Sequence, residues 1–328
     1  MLKKPYVIAE MAQSFEGDPQ LVRKLIKTAK KSGADAVKFQ IFKPSELCTE
    51  DYEYYSLFQD LMISERDRVE LIKYCQEISI DFMADIFGLE TYSWLVKNKV
   101  AAIKIHSTDI KNYPLLRGIK GFHGKIALSA GGSSLAELDK AIEILKGCDL
   151  VLMPGFQAEP NLFSDVELNK IEFLKNRYDI PVGYADHLDA SEKMAVVLPA
   201  MAFLKGADYI EKHLTIERET LELEDSISDL NPGEFKEMLY YIDGVSKFAH
   251  TSDSFKLSER EEAYRLRSKK VPVAASELKE GHKLKIEDMA LVRVGVRPDE
   301  VLDLEELEGK VIAKGLGYFE PITRGCLK

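Results

Sequence analysis

The chain has no uninterrupted apolar stretch of about 18 residues, the length a membrane-crossing helix needs, so no transmembrane segment is expected. Cysteine is scarce. The four in 328 residues (Cys48, Cys75, Cys148, Cys326) are far apart and show no CxxC spacing. That argues against a zinc knuckle or a disulfide framework and fits a reducing compartment. A basic excess is also missing: 45 Lys and Arg face 55 Asp and Glu, a formal net charge of −10. Nucleic-acid binding needs a basic face, so neither nucleic acid nor membrane is an expected partner. Residues 5–9 run directly into an apolar strand pattern, without the layout of a secretory signal. A cytoplasmic location is the expectation.

Hydrophobic residues make up 45% of the chain, ample for a large core. Short apolar runs alternate with amphipathic patterns. The runs predict strands at 6–10, 36–40, 81–85, 102–106, 126–129, 150–153, 182–185 and 209–212. The 3.6-residue patterns predict helices at 19–32, 64–78, 89–98, 135–146, 165–177, 191–204 and 232–248. Strict alternation implies parallel strands joined by right-handed crossovers. Eight units in about 250 residues fit a closed barrel better than an open sheet. The expected fold class is α/β: a (β/α)8 TIM barrel over 1–250, a charged linker over 251–268 and a small, mostly β domain over 269–328. That last part has strand patterns at 271–274, 291–296 and 311–313. It can bury only a modest core and is expected to lean on the barrel or on a partner chain.

The strand ends carry the chemistry. Between Pro181 and Leu214 two consecutive strands end in Asp186-His187 and Glu211-Lys212-His213. Ligands of parallel α/β folds sit at that edge, and two neutral imidazoles beside carboxylates can hold a divalent metal. Strand alternation puts Lys38 with Gln40 on one face, and Glu211 with His213. Glu10 ends the first strand and Asp85 the third. Lys104 lies in the fourth, with Ser107 and Asp109 beyond it. Ser129 ends the fifth, before Gly131-Gly132-Ser133-Ser134, and Gln157 follows the sixth. A buried lysine is costly without a partner, so Lys38 and Lys104 point to an anionic substrate, with salt bridges to Glu10 or Glu211 as the structural alternative. The segment 33–40 echoes 206–213: each begins Gly-Ala-Asp where a helix gives way to a strand. Arg293 and Arg297 flank a Val-Gly-Val segment in the last 60 residues or so.

Taken together, the opening IAE and its Glu16-Gly17 turn, GADAVKFQ, Lys104 to Leu115, ALSAGGSS, ADH, EKH and Asn231-Pro232 resemble the sialic acid (N-acetylneuraminate) synthase family. The tail, with LKEGHKL and EGKVIAKGL, is similar to the family's antifreeze-like (SAF) domain. The resemblance implies a transferase. Phosphoenolpyruvate condenses with the open-chain aldehyde of an N-acetylated hexosamine, water adds at the former enol carbon and phosphate leaves. It implies a divalent metal, Mn2+ or Mg2+, on His187 and His213, and catalytic roles for Glu10 and Glu211. It implies substrate contacts from Lys38, Lys104, Ser107 and Ser129, a sugar contact from Asp225, and a domain-swapped homodimer in which Arg293 enters the other subunit's mouth. Gln40, Asp85, Asp109, Gln157 and Asp186 complete the expected substrate-binding set.

The sequence also departs from that family. Ser14-Phe15 stand where Asn-His is usual, Ala84-Asp85 where hydroxyls are usual, Ala185 replaces a serine and Gln157 an asparagine. Two other readings stay open: a family member that binds a sugar or a partner without synthase activity, and an aldolase using Lys104 as a Schiff-base nucleophile.

Overall fold

The structure, a computed structural model, describes residues 2–155, 161–218, 224–249, 255–295 and 301–328. The chain divides into two compact units, Met1–Thr251 and Ser252–Lys328.

Eight strands build the first unit: β1 (Tyr6–Glu10), β2 (Ala36–Ile41), β3 (Asp81–Ile86), β4 (Ala102–Ile105), β5 (Lys125–Ser129), β6 (Asp149–Met153), β7 (Gly183–Asp186) and β8 (Tyr209–His213). They form one parallel sheet in the order β6-β5-β4-β3-β2-β1-β8-β7. A parallel bridge from Leu152 to Val182 joins the two ends of that order, which makes the sheet a barrel. Every strand expected in this unit is present, with its ends within one residue of the predicted ones.

Period-two alternation divides the strand side chains between two environments. One set points into the bore. Its floor is apolar: Ile8, Ala36, Met83, Ala127, Val151, Met153 and Ala185. The other set, including Val7, Ala9, Val37, Phe39, Ile103 and Ile126, packs against the helices. Helix Pro19–Ser32 is typical of that outer layer. Asp18 caps it by accepting from Gln20 N at 2.8 Å, and Pro19 opens it. Val22, Leu25, Ile26 and Ala29 are buried at 3–4-residue spacing. Burying such a Val, Leu or Ile contributes about 1.5–3 kcal/mol each.

The Gly-Ala-Asp echo has a common physical role. Gly33 and Gly206 take φ of 100° and 98°, left-handed values that favour glycine at a helix C-terminus. The following aspartates then bond to a neighbouring strand. Asp35 N donates to Val7 O and Asp35 Oδ2 accepts from Val7 N, at 2.9 and 2.8 Å. Asp208 does the same with Val182, at 2.7 and 3.2 Å.

Some expected elements differ. The 191–204 pattern splits into a 3-10 turn, Lys193–Val196, and a helix, Leu198–Leu204. Pro199 lacks the N–H that would bond back into the preceding turn, so it can sit only at a helix start. Two short helices, Pro44–Leu47 and Tyr55–Asp60, fill the long connection after β2. In the second unit β9 (Val271–Ala274) pairs antiparallel with β10 (Met289–Val292). The strand expected at 291–296 thus begins earlier, and position 296 lies outside the described residues. Residues 311–313 form isolated bridges, Lys283 with Val311 and Ile312 with Leu327, instead of a strand. The expected linker over 251–268 contains a helix, Glu259–Ser268. Its composition is that of a linker, but Ser258 and Glu261 form a reciprocal capping box that starts a helix. The unit's own core gathers Ala274, Leu278, Leu284, Met289, Leu307, Ile312, Leu316 and Ile322. Among the described residues no helix is long and apolar enough to cross a membrane.

Candidate active site

Above the apolar floor the bore turns polar on six of the strands. Glu10, Lys38, Asp85, Lys104, Ser129 and Glu211 are all buried there. Strand register sets them side by side: Glu10 lies opposite Lys38, and Asp85 is flanked by Gln40 and Lys104. Lys38 Nζ forms ion pairs with both Glu10 and Asp85 and lies 3.7 Å from Glu211 Oε1. Lys104 Nζ donates to the same Glu211 oxygen at 2.5 Å. Glu10 also accepts from Ala12 N at 2.6 Å, which ties the first loop to the cluster.

The cluster holds three carboxylates and two ammonium groups, and its pKa values separate accordingly. Burial works to lower Lys38, but Asp85, Glu10 and Glu211 outweigh it and raise it well above the ordinary lysine value. Burial works to raise Glu211, yet Lys104 and Lys38 hold it below the usual carboxylate range. Glu10 goes the other way. Burial raises it, Lys38 opposes, and Asp85 and Glu211 add to the rise. Two carboxylates pushed in opposite directions in one cavity are the arrangement that separates a proton carrier from a fixed anion.

The two imidazoles stand beside this cluster. The rings of His187 and His213 are 5.2 Å apart at their centroids, inclined by 65°. His213 Nδ1 lies 3.2 Å from Asp229 Oδ1, and Asp229 Oδ2 accepts from Ser14 Oγ at 2.6 Å. A carboxylate on Nδ1 fixes the orientation of the His213 ring, as the outer-shell partner of a metal-ligating imidazole does. His187 Nδ1 is a buried atom with no hydrogen-bond partner. Burial, then His213 and Lys104, hold the His187 ring well below the ordinary imidazole value, so it is neutral, the form that ligates. Among the described residues no three His, Cys, Asp or Glu side chains converge into a cage. Two imidazoles supply only part of a cation's coordination, so a divalent cation held there would take its remaining ligands from substrate and water.

The expected site residues do not all meet. Glu10, Lys38, Asp85, Lys104, Ser129, Glu211, His187 and His213 are gathered at one end of the bore. Ser129 Oγ is buried there without a hydrogen-bond partner, and the half-buried Gln40 follows on the same face as Lys38. Ser107 and Asp109 form the turn beyond β4. Asp109 is engaged locally, accepting from Asn112 Nδ2 at 2.7 Å and Thr108 Oγ1 at 3.3 Å.

Asp186 is a correction. It faces the helix layer, opposite to His187, and is fully buried 2.9 Å from Lys212 Nζ. An adjacent residue in a strand points to the other face, so Asp186 cannot line the bore together with His187. The Ser134 helix start is closed by its own cap, because Ser134 N donates to Glu137 at 2.8 Å. Gln157 and the Asp225 side chain lie outside the described residues, as does Arg297. Arg293 is exposed in the second unit, where its Nε donates to Ser268 O at 2.9 Å.

Three further residues belong to the site. Ser14 and Asp229 order His213. Leu230 reaches them by pairing with the end of β8, through Leu230 N to His213 O at 3.0 Å and Thr215 N to Leu230 O at 3.1 Å. Nothing in the spacing announces that contact. His106 is different: it lies two residues after Lys104, so alternation alone predicts it on the bore side. Burial lowers its pKa, and the charges that act on it are Asp85, Lys104, Lys38 and Glu211.

Comparison with known proteins gives this geometry its relatives. A protein of Methanocaldococcus jannaschii, itself uncharacterized, is 33% identical over 293 residues, covering 88% of this chain and 85% of its own. The N,N'-diacetyllegionaminic acid synthase of Legionella pneumophila is 29% identical over 322 residues, 91% of this chain and 88% of its own. Among solved structures, the N-acetylneuraminic acid synthetase of Leptospira borgpetersenii serovar Hardjo-bovis, in complex with citrate, superposes with a TM-score of 0.74 at 29% identity. It covers 80% of this chain and 92% of its own. The NeuB family model matches residues 25–253, through β2 to β8 and the helix that follows, and the chain belongs to the NeuB family.

Proposed function

We propose that the protein is a phosphoenolpyruvate-dependent synthase of a nonulosonic acid. In this reaction the methylene carbon of phosphoenolpyruvate bonds to the aldehyde carbon of an open-chain N-acetylated hexosamine. Water adds to the neighbouring carbon and the C–O bond to phosphate breaks, leaving a nine-carbon 2-keto acid and inorganic phosphate. The observation that carries the reading is the convergence of two buried lysines and two imidazoles at the C-terminal end of one barrel. The names of relatives in the family, synthases of legionaminic and pseudaminic acids among them, support the same chemistry.

Each residue has a task that follows from its surroundings. Lys104 and Lys38 supply positive charge at the floor of the polar zone for an anionic donor. Ser129 Oγ, buried and unbonded, can donate to the same anion. Glu211 remains ionised between the lysines and keeps them aligned. Glu10, whose pKa burial raises, can exchange a proton with an oxygen at the reacting carbons. His187 and His213 would hold a divalent cation such as Mn2+ or Mg2+. Bound there, it would supply Lewis-acid polarisation of the sugar aldehyde. The resemblance further supports a homodimer in which Arg293 of one copy serves the mouth of the other.

One observation favours a second reading. Lys38 already carries two carboxylates, Glu10 and Asp85, and an anionic donor must compete with Asp85 for it. A family member that binds a sugar without turning over phosphoenolpyruvate would tolerate that. Phosphate release from phosphoenolpyruvate, measured with Mn2+ and a panel of N-acetylated hexosamines, separates the two. Release that needs both metal and sugar is the expected result. No release with any sugar at saturating metal would overturn the synthase reading.

A further inference from the structure

An acid and a base immediately precede the two imidazoles: Asp186 before His187, and Lys212 before His213. β7 and β8 are neighbours, and Asp186 lies directly opposite Lys212 in their register. Alternation sends this pair to the helix side and the following imidazoles to the bore side. The ion pair is 2.9 Å long and both side chains are fully buried. It also grips the chain just past His187. Lys212 Nζ donates to Leu188 O at 3.0 Å, and Leu188 N donates to Asp186 Oδ1 at 3.2 Å. The His187 carbonyl accepts from Ser228 Oγ at 2.8 Å.

We infer that Asp186 and Lys212 are positioning residues for the imidazole pair, fixing from behind the strands the separation and inclination at which His187 and His213 face each other. Removing two charges from water is costly, and an apolar pair of similar volume often serves stability as well or better. A fully buried ion pair that joins the two ligand-bearing strands is therefore better explained by the geometry it imposes than by its contribution to stability. The inference rests on the metal reading proposed above.

The test uses the full chain and Mn2+ alone, with free Mn2+ followed by electron paramagnetic resonance and stability followed by thermal melting. Asp186→Asn removes the charge and keeps the shape. The double variant Asp186→Leu/Lys212→Met replaces the ion pair by an apolar pair and guards against a variant that simply unfolds. Both are expected to bind Mn2+ about 10–100-fold more weakly, the range typical of lost outer-shell support, while the double variant keeps its melting temperature. A double variant that melts like the wild type and binds Mn2+ within twofold of it would overturn the positioning role and leave the metal site standing. A wild-type protein that binds no Mn2+ would remove the metal reading, and this inference with it.

Discussion

Lys104 reaches across the barrel to Glu211, its Nζ 2.5 Å from Oε1. Their strands, β4 and β8, are four places apart in an eight-stranded ring, so the bond spans the bore instead of joining neighbours. The two sides of the polar zone are thereby linked through one carboxylate oxygen that Lys38 also approaches, at 3.7 Å.

That bond makes stability sensitive to single deletions. Lys104→Ala leaves the buried Glu211 carboxylate with only the more distant lysine. Breaking a buried pair from one side typically costs about 3–5 kcal/mol, and urea unfolding is expected to show a loss of that order. Lys104→Met/Glu211→Leu removes both charges and is expected to recover most of it.

Asp85 is expected to oppose the binding of an anionic donor. It faces Lys38 from β3 with one carboxylate oxygen, Oδ1, left buried and unbonded. An anionic donor approaching Lys38 meets that charge. At an effective dielectric of about 20, two unit charges about 4 Å apart interact by about 4 kcal/mol, and solvation offsets much of it. Asp85→Ser is expected to tighten phosphoenolpyruvate binding about tenfold by calorimetry. Unchanged or weaker binding would place Asp85 on the side of the substrate rather than against it.

Asp229 orders His213 through Nδ1, with Ser14 behind it. Loss of such a partner typically costs about 10–100-fold in metal affinity. Asp229→Ala is expected to weaken Mn2+ binding by that factor in a direct titration. Ser14→Ala, which removes one hydrogen bond to Asp229, is expected to weaken it less.

Cys75 links burial to alkaline stability. Burial, helped by Asp81, pushes its thiol from 9.0 up to about 12. Between those values the unfolded chain has lost the proton and the folded chain has kept it. The folded state binds more protons, so stability falls as pH rises from about 9. The slope from this one group approaches about 1.4 kcal/mol per pH unit. Urea unfolding between pH 9 and 11 is expected to decline less steeply in Cys75→Ala than in the wild type. Equal slopes would show that the thiol does not contribute.

Much of the bore chemistry was legible in advance. Strand alternation placed Lys38 with Gln40 on one face and Glu211 with His213 on one face, because side-chain direction in a strand is a local property. The same rule, applied to residues 186 and 187, separates Asp186 from His187, and applied to residues 104 and 106 it adds His106. The expected substrate-binding set had included Asp186, which the backbone geometry turns to the helix side. Composition misread residues 259–268 as linker for a related reason: charge content describes solvation, whereas the Ser258–Glu261 box describes a helix start.

By itself the sequence determined the eight alternating units, the helix stops at Gly33 and Gly206, and the residue types at each strand end. All of these depend on periods and conformations spanning a few residues. Only the tertiary structure decided the pairings. Lys104 and Glu211 are 107 positions apart, and Ser14 and Asp229 are 215 apart. Such pairs meet because the barrel closes between β6 and β7 and because Leu230 runs alongside β8. Closure and register are set by packing around the whole ring, which no local pattern records.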